Sequence, residues 1–377
     1  MAPLVIDVDN SDDPRDVVHR AVQALVEGKL VAFPTETVYV AAASALHEDA
    51  VERLIKLRQG DLDGPLVMAV RSADDALDYV PRIPPLGMRL ARRCWPGPVT
   101  LELEDAQPES VVQRLPESVR ARVAPLGNIR LRVPAHDLMA AVLRLLAGPL
   151  VMIGARRHDQ GDAVTAKDVV DRFGAEMDVV LDDGRCKFAQ RSSIVRIADA
   201  KFEIVRPGVI SATNLKRLAS WIAVTVCTGN TCRSPMAESL LRHKLAKKVG
   251  CKIDELEDRG VIVMSAGISA TTGGRSAAEA ATVMQERGLD LSLHESQPLN
   301  DRIVRFADLI LTMTRSHREA ILSQWPDAAP RTHLISQSRG DVADPIGGPI
   351  DLYRRCADQI DAYLENWVRT IDLDTPS

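Results

Sequence analysis

The chain of 377 residues is 46% hydrophobic and 26% charged, with a formal net charge of −5. These values are ordinary for a globular protein of two or three domains. The acidic net charge argues against a protein whose main role is to coat nucleic acid, although it does not exclude a local basic patch. The low content of aromatic residues, 3%, disfavours a surface on which the bases of single-stranded nucleic acid stack. We expect no transmembrane helix, no signal peptide and no disulfide framework, and hence a cytoplasmic protein with reduced thiols.

Short β-rich runs alternate with amphipathic runs along the chain. In chain order, the predicted strands are Leu30–Phe33, Val67–Val70, Val99–Leu103, Ile129–Val133, Leu150–Ile153, Ile194–Ile197, Ile222–Val226, Ile262–Met264 and Leu309–Thr312. The predicted helices are Asp16–Val26, Glu48–Leu57, Leu86–Cys94, Pro235–Lys248, Ser276–Arg287 and Ile350–Thr370. Such alternation is typical of α/β domains with a substantial sheet.

A change in composition near residue 210 indicates a boundary between two domains. Arg206-Pro207-Gly208 ends the last early strand, and the polar segment 211–220 leads into the next apolar strand. We therefore expect a first domain over residues 1–210, a linker over 211–220 and a second domain over 221–377, with both domains of ordinary size.

The most informative segment of the second domain is the loop that follows its first strand. The apolar strand ends at Cys227, and Gly229 and Asn230, which tolerate a left-handed backbone, come next. Ser234 can cap a helix that has Pro235 at its first position, and apolar residues then recur at helical spacing. The segment is thus predicted to run from a strand through a tight loop into the N-terminus of a helix.

The chemistry of this loop points to a bound anion. Backbone N–H groups and the positive end of a helix would meet at one point, and Arg233 adds a planar guanidinium that fits two phosphate oxygens. The same field favours the thiolate form of Cys227, which would be a nucleophile for phosphoryl transfer. Cys-x5-Arg alone also arises by chance, because most reduced cysteines are small core residues. A Walker A loop lacks its Gly-Lys-Ser/Thr here, and a zinc site lacks a second Cys/His pair.

Residues 222–372 resemble the low-molecular-weight protein phosphatases, whose signature is this Cys-x5-Arg-Ser loop. The other matching segments are Ser265-Ala266-Gly267, residues 307–314, and Asp344-Pro345 with Gly347-Gly348 and Tyr353. The resemblance implies an α/β fold with a central parallel sheet flanked by helices. It also implies hydrolysis of phosphorylated proteins without a metal or another cofactor.

The resemblance implies a role for each residue of the loop. Cys227 would attack phosphorus and form a phosphocysteine, while Arg233 would hold the equatorial oxygens. Ser234 would donate to the thiolate, and Asn230 would fix the loop. Asp344 would protonate the leaving group and then activate water, although an Asp-Pro step taken alone is more often a turn or a cap. The residues implied in substrate binding are Thr228, Gly229, Asn230, Thr231, Cys232 and Ser234.

Two positions bear on the identity of the leaving group. Thr231 stands where tyrosine-directed members usually carry a larger apolar residue, and its hydroxyl resembles the protein-arginine phosphatases of the family. Ile346 follows Asp-Pro where an aromatic residue is common, so a stacking surface for the substrate is absent. The sequence leaves phosphotyrosine and phosphoarginine both possible as substrates. The alternative for Thr231 is a neutral loop residue that does not select the substrate.

The remaining cysteines allow two further interpretations. Cys232 either forms a reversible disulfide with Cys227, which would protect the nucleophile from over-oxidation, or is a buried loop thiol without a redox role. An arsenate reductase shares the loop but needs a downstream thiol relay. Cys251 and Cys356 are the later cysteines, and neither falls between residues 270 and 345, where a relay pair is expected.

The first domain carries short polar motifs whose order is informative. Taken alone, Arg130 and Arg132 on one strand face would indicate a solvated basic edge. The motifs are Pro34–Tyr39, Lys56-x-Arg58, Gly64-Pro65-Leu66, Trp95–Pro98, Arg132–Pro134, Ser192-Ser193 and Arg206–Gly208. Together they resemble the Sua5/YrdC/YciO family, whose members make threonylcarbamoyl-adenylate from threonine, bicarbonate and ATP for tRNA modification. The resemblance implies a twisted α/β sheet, a concave basic surface, and nucleotide or substrate contacts from Thr35, Lys56, Arg58, Arg132, Ser192 and Arg206.

Departures from that family pattern bear on activity. The Tyr-Gly step reads Tyr39-Val40, Gln59 replaces a usual proline, and the Ser-x-Asn nucleotide motif falls at Gly154-Ala155-Arg156. The oxygen and amide expected at the triphosphate or its magnesium are thus absent, while Arg156 and Arg157 add positive charge. We therefore expect a basic cleft that serves as a nucleotide-binding or tRNA-binding scaffold with weak or no synthase activity. An active synthase that uses ATP and Mg²⁺ is the alternative.

Overall fold

The computed structural model describes residues 2–58, 64–105, 107–157, 160–198, 201–337 and 340–373. They form two compact units, of which the first reaches Leu218 and the second begins at Ala219. Gln59, noted above as a departure from the family pattern, lies outside the described residues. None of the helices in the described ranges combines the length and the apolar character needed to cross a membrane.

The first unit is built on a ten-stranded mixed sheet. Its strands are β1 (Leu4–Asp7), β2 (Val31–Phe33), β3 (Val40–Ser44), β4 (Val67–Ala69), β5 (Val99–Glu104), β6 (Asn128–Arg132), β7 (Leu150–Gly154), β8 (Val179–Asp182), β9 (Ser193–Ala198) and β10 (Lys201–Arg206). They lie in the order β1-β8-β2-β3-β7-β4-β6-β5-β9-β10. Every residue of β2 and β3 is buried, so the sheet is covered on both faces at these strands.

Helices of the first unit connect and cover these strands. They are α1 (Pro14–Val26), α2 (Glu48–Lys56), α3 (Ala76–Tyr79), α4 (Pro85–Cys94), α5 (Glu117–Val123), α6 (Asp137–Leu145), α7 (Ala166–Phe173) and α8 (Ala212–Ala219). Short 3₁₀ turns occur at Val111–Arg114, Pro125–Gly127 and Gly174–Glu176. Val17 and Leu25 of α1 pack with Val142 of α6 in one apolar cluster that also holds Phe33 of the sheet.

The second unit contains a four-stranded sheet in which every strand pair is parallel. Its strands are β11 (Trp221–Cys227), β12 (Val261–Gly267), β13 (Leu309–Thr312) and β14 (Thr332–Leu334), in the order β12-β11-β13-β14. Its helices are α9 (Arg233–Val249), α10 (Ala278–Glu286), α11 (Asp301–Phe306), α12 (Arg315–Gln324) and α13 (Ile350–Thr370), with 3₁₀ turns at Ile253–Glu255 and Pro326–Arg331.

Helices cover both faces of the second sheet. Ala223 of β11 belongs to a core that includes buried residues of α9, α10 and α13, while Ile222 and Val224 belong to a core shared with α11 and α12. Neighbouring strand residues alternate between the two cores because their side chains point to opposite faces. The carboxyl ends of the parallel strands meet at one edge, where α/β proteins bind ligands, and Cys227 is the last residue of β11.

Every predicted strand and helix is present, with ends shifted by a few residues. The predicted elements did not include the strands β1, β3, β8, β10 and β14, nor the helices α3, α5, α6, α7, α8, α11 and α12. The segment 211–220, interpreted above as a linker, contains α8, and the division between the units falls after Leu218. Leu215 and Ala219, four residues apart, are fully buried, which explains why a helix forms in this polar segment.

Candidate active site

Cys227 lies at the carboxyl edge of the second sheet with its side chain buried. Its Sγ is 3.0 Å from Ser234 Oγ, while the carbonyl oxygen of Ala266 is 3.4 Å from the same hydroxyl. Asn230 Nδ2 donates to Ser234 Oγ over 2.9 Å and occupies one of its lone pairs. The hydroxyl proton of Ser234 can go to the Ala266 carbonyl oxygen or to Cys227 Sγ, so the serine is placed to donate to the sulfur.

The expectation that Ser234 caps the helix is wrong. α9 begins at Arg233, and Cys232 stands in the N-cap position without a side-chain hydrogen bond to the helix. Ser234 lies inside the first turn. Its hydroxyl contacts Asn230 and Cys227 rather than N–H groups of the helix. The serine is thus part of the thiol environment and not a local start signal.

Asn230 fixes the loop in its shape. Its backbone is left-handed, with a φ of 55°, which asparagine tolerates better than most residues. Its amide nitrogen donates to Ser265 Oγ as well as to Ser234, and its Oδ1 accepts from the backbone N–H of Gln297, all at 2.9 Å. His294 Nε2 lies 2.8 Å from the Asn230 carbonyl oxygen. Both ends of the amide are satisfied, so the loop is preorganised for a ligand.

The carbonyl oxygens and the N–H groups of the loop backbone are used differently. Carbonyl oxygens of Cys227, Thr228 and Thr231 accept hydrogen bonds from N–H groups after β12, at 2.8 to 3.0 Å. Within the described ranges, the N–H groups of residues 228–232, which include half-buried Gly229, have no acceptor. Five consecutive N–H groups of this kind at the start of a helix form an anion-binding cradle.

Gly267 at the end of β12 allows this close packing. A Cβ at this position would lie 2.5 Å from Thr228 O and 2.9 Å from Asn230 N. Neither backbone atom can move away without changing the loop, so glycine is required here. The Ser-Ala-Gly segment recognised in the sequence is therefore explained by contact with the loop.

Arg233 is held beside the cradle with its side chain only 6% exposed. Its Nη1 donates to Val342 O over 3.2 Å, and its Nη2 donates to Thr228 Oγ1 over 3.5 Å. The same Nη2 donates to Asp344 Oδ2. Because Nη1 and Nη2 both have partners, the plane of the guanidinium is set before a phosphate binds.

Asp344 has a side chain that is 39% exposed, so it can be reached from solvent. Its Oδ1 accepts from Ile346 N over 3.3 Å, which is the turn contact typical of Asp-Pro. Its Oδ2 binds Arg233, so the structure brings the predicted acid and the predicted arginine together. A phosphate that takes Nη2 of Arg233 would compete with this carboxylate and turn it toward the leaving group.

The other thiols nearby are buried and unpaired. Cys232 Sγ is 3.7 Å from Thr231 Oγ1 and 3.7 Å from the Tyr353 hydroxyl, and burial raises the pKa of this thiol. Cys227 and Cys232 are both free cysteines. Cys356, whose Sγ is 3.9 Å from Ala343 O, has a pKa raised to about 12 by burial.

The sequence analysis assigned no role in supporting the loop to several residues that contact it or its neighbours. Ser265 Oγ donates to Glu238 Oε2 over 2.6 Å, and burial raises the pKa of Glu238. Gln297, His294 and His317 also contact loop residues. These contacts have no local signal, because the partners lie tens of residues apart in the chain.

The first unit contains a basic cavity of about 70 Å³. Arg58, Arg132, Ser192 and Arg206, all predicted from the family resemblance, line it. Arg130, Arg156 and Arg191 line it as well, so six arginines face a cavity whose acidic lining residue is Asp162. The structure therefore brings most of the predicted basic residues to one place.

Two predicted residues lie elsewhere. Lys56 is exposed and Thr35 is buried, and neither belongs to the cavity lining. Thr35 Oγ1 donates to Val38 O over 2.7 Å and accepts from the N–H groups of Thr37 and Val38. This hydroxyl is used within its own turn.

The interpretation of Arg130 and Arg132 as a solvated edge is wrong. Both are buried, since Arg130 Nε donates to Glu102 Oε2 over 2.8 Å and Arg132 Nη2 donates to Glu36 Oε1 over 2.7 Å. Removing one partner of such a buried pair typically costs about 3–5 kcal/mol of stability. These two arginines therefore have a structural role in addition to lining the cavity.

The expectation that Arg157 adds charge to the cleft is also wrong. Arg157 pairs with Glu176, and its guanidinium lies 4.8 Å from the centre of the Phe173 ring. Arg156 lines the cavity as expected, together with Val40, the residue that replaces the family glycine. Both side chains take up space where the family pattern has an amide or no side chain.

A parallel α/β unit that presents a thiol inside an anion-binding loop, with a carboxylate beside the arginine, has the geometry of a cysteine-dependent phosphatase. Residues 223–377 match the family model described as low molecular weight phosphotyrosine protein phosphatase. Residues 23–208 match the Sua5, yciO and yrdC model, described as telomere recombination. The chain belongs to the low molecular weight phosphatase family through its second unit, which is fused to a Sua5/YrdC-like first unit.

Individual relatives cover one unit each. The protein-arginine-phosphatase of Geobacillus stearothermophilus is 36% identical over 144 residues, which are 37% of this chain and 88% of that relative. The threonylcarbamoyl-AMP synthase of Pyrococcus abyssi is 30% identical over 198 residues, which are 52% of this chain and 56% of that relative. This chain thus spans little more than half the length of that synthase.

A solved structure supports the fold of the first unit. A Sua5 variant from Pyrococcus abyssi has a TM-score of 0.51 at 23% identity and covers 70% of this chain and 91% of its own. This similarity shows the fold of the first unit alone.

Proposed function

We propose that the second unit hydrolyses phosphorylated side chains of proteins through a phosphocysteine at Cys227. The observation that carries this proposal is the cradle of N–H groups at residues 228–232, which have no acceptor in the described ranges and surround the end of β11. The oxygens of a phosphoryl group would take these donors together with Arg233. Reducing conditions keep such a thiol active, which supports a cytoplasmic location.

The reaction has two steps on this geometry. Cys227 Sγ forms a bond to phosphorus as the bond to the leaving oxygen or nitrogen breaks, and Asp344 gives its proton to that leaving atom. The Asp344 carboxylate then takes a proton from water, whose oxygen attacks phosphorus. Inorganic phosphate leaves, and Cys227 returns as the thiolate.

We propose phosphoarginine as the preferred substrate. Thr231 places a half-buried hydroxyl in the middle of the loop, and Ile346, 67% exposed after Asp344-Pro345, offers no aromatic face to a phenyl ring. Relatives named protein-arginine-phosphatase from two organisms are each 36% identical. A relative named a probable tyrosine phosphatase, from Ralstonia nicotianae, is 34% identical, so phosphotyrosine is the competing substrate.

A paired assay on matched peptides tests this preference. We expect kcat/KM for the phosphoarginine peptide to exceed that for the phosphotyrosine peptide by about tenfold or more, because a placed hydroxyl discriminates between nitrogen and aryl oxygen leaving groups. Thr231→Ile should reverse or abolish the preference, while Thr231→Ser should retain it. A wild-type preference for phosphotyrosine would contradict the substrate proposal, and Cys227→Ser supplies the blank.

We propose that the first unit is a binding scaffold with little or no synthase activity. Its cavity of about 70 Å³ lies far below the roughly 300–1,000 Å³ of ordinary ligand pockets. Val40 and Arg156 fill space at its wall, and Arg130, Arg132 and Arg191 are paired with Glu102, Glu36 and Asp162. We propose tRNA as the ligand of the first unit as a whole, and a salt-dependent tRNA affinity would support this binding.

Calorimetry with ATP-Mg on the full chain tests the scaffold proposal. We expect a Kd weaker than about 1 mM and no threonine- and bicarbonate-dependent release of pyrophosphate. The double variant Gly154→Ser with Arg156→Asn restores the family motif, and a Cβ at residue 154 would meet Asp162 Oδ1 only at 3.8 Å. We expect this variant to bind ATP-Mg more tightly. Tight binding by the wild-type chain would instead favour the active synthase.

A further inference from the structure

His317 is a buried histidine at the edge of the cradle, with 4% of its surface exposed. It is the third residue of α12, and its backbone N–H donates to the N-cap residue Thr314 over 3.2 Å. α12 follows β13, which pairs in parallel with β11. The segment after β13 and the loop after Cys227 therefore meet at the same edge of the sheet.

The imidazole contacts the loop through one nitrogen. Its Nε2 is 2.9 Å from Thr228 Oγ1, and Arg233 Nη2 donates to the same oxygen over 3.5 Å. Its Nδ1 is buried and has no hydrogen-bond partner among the described residues. A buried N–H without an acceptor is rarer than a buried acceptor without a donor. The tautomer with its proton on Nε2 is therefore favoured, and His317 donates to Thr228.

The ring is neutral in the working range of pH. Burial and the positive charge of Arg233 lower the pKa of His317 to about 4, while the charges of Asp344 and Asp341 act in the opposite direction. The ring is protonated only below this pH, so at neutral pH it does not add a second cation beside Arg233. Its contribution is a fixed hydrogen-bond donor.

We propose that His317 is a positioning residue for phosphoryl transfer, which holds the Thr228 hydroxyl against Arg233 and thereby keeps the guanidinium oriented toward the phosphoryl group. When a phosphate takes the place of Asp344 on Nη2, Thr228 stays as the protein contact of that nitrogen. Thr228 then accepts from His317 and Arg233 and keeps its own hydroxyl proton for donation at the loop mouth. The inference rests on the phosphatase function proposed above.

Steady-state kinetics of the full chain on p-nitrophenyl phosphate test this role. We expect His317→Ala to lower kcat about tenfold with little change in KM, because a misplaced guanidinium loses mainly transition-state contacts. His317→Gln, whose amide N–H can replace Nε2–H, should recover most of the loss. The pH profile of His317→Gln should keep the wild-type shape from about pH 5 to 8, since the wild-type ring carries no charge there.

A double-mutant cycle separates this role from a general effect on folding. Thr228→Val removes the intermediate hydroxyl, and His317→Ala combined with Thr228→Val should be no slower than the slower single variant. His333→Ala is the matched control, because His333 is a half-buried histidine of the same unit that packs on Trp367; its activity should equal that of the wild type.

Three results would overturn the proposal. They are full activity in His317→Ala, additive losses in the double variant, and a His317→Gln variant that melts like the wild type yet is as slow as His317→Ala. Failure of the proposed phosphatase function would give a different result, because Cys227→Ser would then retain hydrolysis. The activities of the His317 variants relative to the wild type would in that case not describe a thiol-dependent reaction.

Discussion

Replacing Cys227 with serine is expected to lower kcat by about 10³-fold or more, because a serine hydroxyl at this position has no base to deprotonate it. The sulfur contacts the Ser234 hydroxyl at 3.0 Å, and this hydroxyl is not a base. Calorimetric binding of inorganic phosphate should persist, since the loop N–H groups and Arg233 are unchanged. Rapid quenching of the wild type should leave phosphate on the peptide that contains Cys227.

The control for this variant is Cys251→Ser. Cys251 is a half-buried thiol that follows the C-terminus of α9, and the 17 residues of α9 separate it from the cradle by roughly 25 Å. We expect wild-type activity in this control. Hydrolysis by Cys227→Ser within about tenfold of the wild type would contradict covalent catalysis.

Asp344→Asn is expected to lower kcat by about 10²-fold or more for poor leaving groups, and much less for good ones such as p-nitrophenolate. The amide cannot give a proton to the leaving atom, although its oxygen can still accept from Arg233 as the carboxylate does. A series of aryl phosphates measures this effect. The dependence of log kcat on leaving-group pKa should become steeper than in the wild type.

Asp351→Asn is the matched control for the acid. Asp351 lies in the first turn of α13, its side chain is 67% exposed, and it pairs with Arg354 on the surface. Its loss should leave the leaving-group dependence unchanged. Equal slowing of good and poor substrates by Asp344→Asn would argue against proton donation and would assign Asp344 to the positioning of Arg233.

Long-range contacts explain where the sequence was not sufficient in the first unit. β3 has the sequence Val-Ala-Ala-Ala-Ser, and alanine has little intrinsic preference for strands. It is a strand because it pairs with β2 and β7 inside the sheet. Arg130 and Arg132 likewise alternate in a way that suits a solvated face, and only their pairing with Glu102 and Glu36 buries them.

The roles of Ser234 and Arg157 show the same limit. A serine before a proline satisfies every local rule for a helix cap, yet its hydroxyl is engaged by Asn230 and lies against Cys227. Arg157 stands next to a cavity residue, yet it turns to Glu176. In each case the side chain is held by contacts that the local pattern does not show: Asn230 and Cys227 for the serine, and Glu176 for the arginine.

The sequence by itself determined the α/β class, most strands, the helices α1, α2, α4, α9, α10 and α13, and the loop from Cys227 to Ser234. These features depend on neighbouring residues, through hydrophobic periodicity, turn preferences and the spacing of a thiol and a guanidinium. Only the tertiary structure decided that Asp344 meets Arg233, that Glu238, Ser265 and His317 support the loop, and that six arginines enclose one small cavity. Those arrangements join residues far apart in the chain, whose proximity follows from the packing of the sheets and from no local pattern.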